Sequence, residues 1–284
     1  MLEGSEGPLE ADLTTFWKLH TFSEVDSTNT RIKEAIAQGA PEGTCFAAQR
    51  QTAGYGRQGR AWSSPEGGLY FSFVLDPLDA HPEAGKTLAD LPAVSLVMSL
   101  GIQAGLVAFT QNDAIKIKWP NDIVVGEGTN YAKLCGISLE MVDGKLCCGI
   151  GVNVSRPSAG ADAQQEVPSS TYGIAYLQEL RRDPRIDERG EASPFVRLLP
   201  LVLRSVMHVY QCWLQDGIES LITRYNDLLF NVGSDVVLET IDGKTLYEGE
   251  VLGADATGEL LLKTPTSNIV RAASGEVHTR IARI

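Results

Sequence analysis

The sequence predicts a mixed α/β domain followed by a small all-β barrel, and three observations carry that expectation. Apolar runs of strand length, CFAAQRQ and LYFSFVLD, alternate with stretches whose apolar residues recur three and four apart, RIKEAIAQG and FVRLLPLVLRSVMHVYQCWLQ. KLCGISLEMV and KLCCGIGVNV are joined through DGK, a hairpin signal. After Gly233 the character changes to short strands with regular turns.

Taken in order, residues 1–18 read as a loosely ordered tail, with Gly and Glu frequent at the start. TFSEV is a strand. RIKEAIAQG sets Ile32, Ala35 and Ile36 at helical spacing and reaches Gly39, where a helix C-terminus favours a left-handed residue, so VDSTNT is a strand-to-helix turn. CFAAQRQ and LYFSFVLD are strands, which makes QTAGYGRQGRAW and the following SSPEGG the loop between them. Pro92 opens a helix from Leu91 to Phe109 that is apolar almost all round and therefore buried. AIKIKW and DIVV flank a Pro-Asn turn ahead of the hairpin. The stretch 155–193 has little periodicity beyond GIAYLQEL and reads as a surface excursion. Two helices, FVRLLPLVLRSVMHVYQCWLQ and IESLITRYNDLLF, close the first domain near Phe230, and DVVLET, TLYEGEVLGAD, ELLLKT, NIVRA and GEVHTRI supply the barrel strands. The expected division is a tail over 1–18, an α/β domain over 19–230 and a barrel over 231–284.

Composition excludes several classes of function. Lys and Arg number 24 against 36 Asp and Glu, a formal net charge of -12, which argues against an electrostatic nucleic-acid binder and against adhesion to an anionic membrane. The N-terminal MLEGSEGPLEADL has neither a basic head nor an apolar run, and the most apolar segment, LPAVSLVMSLGIQAGLVAF, is interrupted by Ser, Gln and Gly. The 5 cysteines form no CxxC spacing, so neither a disulfide framework nor a zinc site is expected. A reducing cytoplasm fits this usage.

Against that acidic background the stretch Gln51–Trp62 is an exception, with Gly54, Gly56, Gly59, Arg57, Arg60 and Trp62 and no acidic side chain. Glycines let backbone amides approach an anion, arginines supply planar forks for phosphate or carboxylate, and an indole offers a face to a nucleobase. A hairpin with two solvated arginines is the plain alternative. AIKIKWPNDIVV holds Lys116, Lys118, Trp119, Asn121 and Asp122; alternation with Ile117 turns Lys118 toward a cleft shared with Asp122. In YAKLCGISLE, Lys133 precedes an apolar strand whose Gly136 permits close backbone contact, and GIGVNV adds Gly149, Gly151 and Asn153. Each group alone has an ordinary reading as turn, core or solvated strand end.

Together and in this order, DSTN, QTAGxGRxGRxW, KWPND, KLCGI with Glu140, and GIGVN resemble the biotin protein ligases over nearly the whole chain. The resemblance implies a mixed-sheet catalytic domain related to class II aminoacyl-tRNA synthetases and lipoate ligases, then an SH3-like barrel. It also implies ATP and biotin as substrates, Mg2+, and a biotin carboxyl carrier protein as acceptor. Ser27, Thr28, Asn29 and Gln51 would hydrogen-bond the biotin ureido ring, with Gly54, Tyr55 and Gly56 closing over it and Gly136 close beside it. Arg57 would hold the carboxylate and later the acyl phosphate, and Lys133, also in the biotin site, would neutralise the α-phosphate. Trp62 would cover the adenine and Asn153 would contact its edge. Lys118, Arg60, Asn121 and Asp122 match positions near the triphosphate, the metal or the incoming lysine. Asp122 is the candidate metal ligand and the group to orient or deprotonate that lysine, and Arg280 would reach the nucleotide.

Three positions depart from the pattern: many relatives have Arg where Tyr55 stands, Ala where Cys135 stands and a basic residue where Gln58 stands. Two fewer positive charges are expected to weaken retention of the adenylate. Too few residues precede the first expected strand for the winged DNA-binding domain with which some members begin, so a repressor role is not expected. A monomer or a homodimer, no nucleic acid and no membrane complete the expectation. The rival readings are a lipoate ligase or octanoyltransferase on the same fold, and a non-catalytic nucleotide- or RNA-binding module.

Overall fold

In the computed structural model the described residues are 15–157, 173–182, 194–240 and 242–279. An eight-stranded mixed sheet runs in the order β1-β2-β3-β7-β6-β5-β4, with β8 beside β6. Its strands are β1 (Lys18–Val25), β2 (Thr44–Gln51), β3 (Leu69–Leu75), β4 (Lys116–Lys118), β5 (Asp122–Glu127), β6 (Asn130–Val142), β7 (Lys145–Val152) and β8 (Gly173–Ile174). β1 and β2 pair in parallel through the crossover helix α1 (Thr28–Ala37), whereas β2, β3, β7, β6, β5 and β4 pair antiparallel in turn. The β6–β7 hairpin turns through Asp143 and Gly144, both left-handed, as DGK predicts.

β3 is buried along its whole length, and period-two alternation divides its side chains between two faces. Leu69, Phe71, Phe73 and Leu75 join the main core with α2 (Val94–Thr110) and α3 (Pro194–Asp216). On the other face Val74 and Cys147 receive Ile32 and Ile36 of α1, a much smaller apolar patch. α2 and α3 cross closely at Gly101 and Gly105, where an added Cβ would meet Val206 Cα at 2.7 Å and Val202 Cα at 2.6 Å. Pro92 does not open α2; it lies in a preceding 3-10 segment, Leu88–Ala93, and α2 begins at Val94. Leu88–Thr110 is long and apolar enough to cross a membrane, but its most apolar window is 67% buried inside the protein, as a core helix is.

After α4 (Glu219–Leu228), Phe230 N donates to Ile117 O of the first sheet, and Gly233 N already donates to Val251 O of the second. The second sheet is antiparallel, in the order β12-β11-β10-β9-β13, from β9 (Asp235–Glu239), β10 (Thr245–Ala254), β11 (Leu260–Lys263), β12 (Ile269–Ala272) and β13 (Glu276–Thr279). Its inner residues Val236, Leu238, Leu260 and Leu262 belong to the same core cluster as the first sheet. Two polar clasps fix the docking. Trp119 Nε1 donates to Gly258 O at 3.0 Å, and the Asn226 amide bonds both backbone groups of Ala254 at 2.8 and 3.1 Å.

Two expectations are corrected. The tail does not extend to residue 18, because Trp17 packs in the core against Phe73 and Lys18 opens β1; residues 1–14 lie outside the described residues. Nor is all of 155–193 a surface excursion. Gly173–Ile174 pairs with β6, Leu177 is fully buried, and apolar Ala175 and Leu177 supply the reason; residues 158–172 and 183–193 lie outside the described residues.

Candidate active site

The site begins as a recess in the sheet made by small residues on the face away from the main core. Ser72 of β3 lies opposite Gly149 of β7, which lies opposite Ser138 of β6, and one step along Gly151 lies opposite Gly136. With large side chains missing there, a cavity of about 490 Å³ opens beneath the start of α1 and extends to the edge of the second sheet.

At one end a polar network is closed on itself. Ser72 Oγ lies 2.7 Å from Thr28 Oγ1 and 2.6 Å from Asn29 Oδ1, and Asn29 Nδ2 donates to Ser138 Oγ at 3.0 Å. Gln51 Oε1 accepts from Thr28 N at 2.8 Å, while Gln51 Nε2 donates to Ser64 Oγ at 2.8 Å. These links satisfy buried polar groups and hold their orientation, the condition for reading a polar ring by hydrogen bonds. A Cβ on Gly149 would fall 1.9 Å from Asn29 Oδ1, so only glycine leaves Asn29 its place.

The other end is charged. Lys118 and Asp122 face each other across the β4–β5 turn, and Lys133 Nζ lies 2.7 Å from Asp122 Oδ1. Arg57 Nη1 donates to Asn121 Oδ1 at 2.9 Å; burial lowers the guanidinium pKa and Asp122 works the other way. Lys118, 6% exposed, has its pKa lowered by burial, again offset in part by Asp122. Among the described residues no three His, Cys, Asp or Glu side chains converge as a metal cage.

The loop between β2 and β3 folds as a short ribbon over the middle of the cavity. Tyr55 bridges Ala61, Gly56 N donates to Arg60 O, and Trp62 N donates to Gly54 O. Gln58 takes a left-handed φ of 57° within the 3-10 turn Arg57–Gly59. Arg60 is ion-paired with Glu276 of β13. The Trp62 indole lies on the glycine floor, so close that a Cβ on Gly151 would meet its Nε1 at 2.4 Å, with Lys133 Nζ 5.1 Å from the ring centroid. A ligand resting on that floor must displace the indole before Trp62 can cover it.

Of the residues singled out from the sequence, Thr28, Asn29, Gln51, Tyr55, Gly56, Arg57, Arg60, Trp62, Lys118, Asn121, Asp122, Lys133, Gly136 and Asn153 all line this cavity. Ser27 and Gly54 take supporting places. The Ser27 hydroxyl caps α1 by accepting from Thr30 N, and Gly54 lets the ribbon lie against Ser64 and Gln51. Asn153 Nδ2 donates to Lys133 O at 3.2 Å, which fixes its carboxamide. Arg280 lies outside the described residues. Sequence reasoning missed Ser72 and Ser138, whose signal was a polar residue at a site-facing position of an otherwise apolar strand. It also missed Ile174, Glu276 and His278, which carry no local signal and reach the cavity only through tertiary docking.

Residues 21–155 match the model of the biotin/lipoate A/B protein ligase family. The chain is 31% identical over 246 residues to the bifunctional ligase/repressor BirA of Bacillus spizizenii, covering 84% of this chain and 67% of that protein. It is 26% identical to the biotin–[acetyl-CoA-carboxylase] ligase of Mycobacterium tuberculosis, over 93% of this chain and 90% of that one. Among solved structures, the biotin protein ligase from Aquifex aeolicus in complex with biotin and ATP superposes with a TM-score of 0.67 at 28% identity, covering 93% of this chain and 99% of that one. Fold and site therefore define a ligase that activates a carboxylic acid for attachment to protein. The chain belongs to the biotin/lipoate A/B protein ligase family and, within it, to the biotin protein ligases.

Proposed function

We propose that this cavity is where the chain joins biotin to AMP and then passes biotin to a protein lysine. The observation that carries the assignment is the joining, in one cavity, of a closed neutral network around Asn29 to a cluster of Arg57, Lys118, Lys133 and Asp122. The ureido ring of biotin needs fixed donors and acceptors without net charge, which Thr28, Asn29, Gln51, Ser72 and Ser138 supply. Its carboxylate then lies toward Arg57 and Lys133.

Attack of that carboxylate on the α-phosphate of ATP brings two anions together, and fixed cations in a half-buried site lower that barrier electrostatically. Arg57 and Lys133 serve this step; biotinyl-5'-AMP forms and pyrophosphate leaves. In the second step a lysine of a biotin carboxyl carrier protein attacks the acyl carbon and AMP leaves. An ammonium has no lone pair, so the amine must lose a proton, and the Asp122 carboxylate is the base at hand. Mg2+ in such sites rests on one or two carboxylates plus substrate phosphates, which suits a cavity lined by Asp122 and Glu276 and an ion carried in with ATP. When bound it would spread the triphosphate charge.

The same reading keeps the division into a catalytic domain, its start moved back to take in Trp17 and Lys18, that runs to 230 and a C-terminal domain over 231–284, the second contributing Glu276 and His278 to the cavity wall. Five free cysteines, four of them buried, support a cytoplasmic setting. Incubation with biotin, ATP and Mg2+ followed by mass spectrometry tests the assignment. Biotinyl-AMP and biotin-dependent ATP–pyrophosphate exchange are expected; exchange that proceeds equally with lipoate, or not at all, overturns it.

A further inference from the structure

α1 and β6 are joined by two polar rungs, one helical turn apart on the helix and two residues apart on the strand. The first is Asn29 to Ser138, at 3.0 Å, inside the cavity. The second is Lys33 to Glu140, an ion pair at 2.9 Å whose side chains are 32% and 34% exposed; neither residue lines the cavity. Lys33 Nζ also stands 5.0 Å from the centroid of the Tyr55 ring, at the neck of the loop ribbon where Tyr55 bridges Ala61. Tyr55 Oη is buried, and Lys33 and Glu140 act on it as well as on the ring. Burial disfavours the Lys33 ammonium, but Tyr55 and Glu140 outweigh it and hold its pKa above the usual lysine range, so Lys33 stays charged at neutral pH.

The other attachments of the ribbon differ in kind. Arg57 to Asn121, Arg60 to Glu276 and Trp62 on the glycine floor are made by cavity-lining residues, which a ligand filling the cavity contacts and rearranges. The second rung lies behind them. Lys33 and Glu140 do not line the cavity, so a ligand filling it meets this rung only through the Tyr55 ring, and the rung ties the ribbon to the same helix and strand that carry the polar network.

We propose that Lys33 and Glu140 are positioning residues, a latch that holds Tyr55 and with it the base of the glycine loop, and so sets how long the acyl adenylate stays enclosed. This rests on the ligase reading of the cavity. Lys33 and Glu140 touch no reacting atom; their effect passes through Tyr55 to Gly56 and Arg57. The latch therefore bears on escape of the intermediate and not on its formation.

Lys33→Met, Glu140→Gln and the conservative Lys33→Arg separate these effects. In single-turnover experiments with biotin, ATP and Mg2+, Lys33→Met and Glu140→Gln should form the adenylate within about twofold of the parent and release it on the order of tenfold faster. That is the scale of a lost cation–ring contact and a half-exposed ion pair. Lys33→Arg should hold it as the parent does. Trypsin cleavage after Arg57 and Arg60 in the ligand-free protein reads the loop directly and should be faster in the first two variants. Should the parent make no adenylate, the ligase reading fails, and the cleavage rates alone decide the latch. Unchanged release with unchanged cleavage overturns it, as does a fall in formation, release and melting temperature together, which would mark a purely structural pair.

Discussion

Lys133 Nζ and Asp122 Oδ1 stand 2.7 Å apart, their side chains only 18% and 15% exposed, so the group suited to a phosphate and the group suited to a proton neutralise each other. On the proposed reading, ligation through biotinyl-5'-AMP would separate their duties in time. A phosphate anion would draw Lys133 away in the first step, leaving the carboxylate free for the amine in the second.

Lys133→Ala should therefore slow adenylate formation by on the order of a hundredfold or more, since it removes a clamp and leaves Asp122 facing the phosphates unpaired. Biotin affinity should fall much less. Single-turnover formation rates set beside biotin binding by calorimetry check this, and an unchanged rate would return Lys133 to an ordinary strand-end lysine.

Asp122→Asn should show the opposite division. The amide keeps the shape and leaves Lys133 charged, so biotinyl-AMP should still accumulate while its transfer to a carrier lysine slows by about a hundredfold, the usual scale of a lost general base. Measuring adenylate with and without the carrier distinguishes the steps; equal slowing of both would remove Asp122 from the second.

Arg57 is held by Asn121 with its guanidinium over the cavity. Arg57→Gly should leave Lys133 in place to make some biotinyl-AMP but lose the contact that retains it. The escaped intermediate acylates any amine it meets, so the variant should biotinylate bystander proteins that the parent leaves untouched. Adenylate release and bystander labelling are measured together, and a variant that forms the adenylate and keeps it would place Arg57 outside the clamp.

Gly149→Ala should act on biotin alone. Its methyl would occupy the position of Asn29 Oδ1, 1.9 Å away, and force Asn29 off Ser72 and Ser138. The KM for biotin should rise at least tenfold, about 1.4 kcal/mol, with little change in the KM for ATP. A shared rise in both would mean that the sheet itself had shifted.

Lys118→Met should stabilise the fold and cost activity. Burial lowers the Lys118 pKa, so charging this lysine in the folded state carries a penalty that is full below the folded pKa and fades as pH rises toward the unfolded value near 10.4. Met fills the same space without it, and each kcal/mol gained raises the melting temperature by about 2–4 °C. The advantage should shrink as pH rises past the folded pKa of Lys118. A variant less stable than the parent at pH 7 would show that the interactions of Lys118 outweigh its burial.

Much of this was legible in the sequence because periodicity is a local property. Apolar runs of strand length such as LYFSFVLD, spacing of three and four in the helices, and the DGK turn each follow from backbone geometry within a few residues. Composition and charge bounded the class, and the order of DSTN, QTAGYGRQGRAW, KWPND, KLCGI and GIGVN carried the resemblance. Pro92 misled because it lies inside the 3-10 segment Leu88–Ala93, two residues ahead of α2, and not at a helix start. Trp17 was missed because the Gly- and Glu-rich start was extended too far, past apolar Leu13, Phe16 and Leu19.

The tertiary structure alone decided which distant residues meet. Lys33 and Glu140, 107 positions apart, pair only because α1 packs over β3 and β7 in one register. Slipping β7 by one residue against β3 and β6 would turn Gly149 away from the face that carries Ser72 and Ser138. Arg60 finds Glu276, and residues 173–182 find Lys133 and Asn153, only once the second sheet and the later chain have docked. No local pattern announces such pairings, because each is selected by the summed burial and hydrogen bonding of whole elements, to which a single residue contributes little.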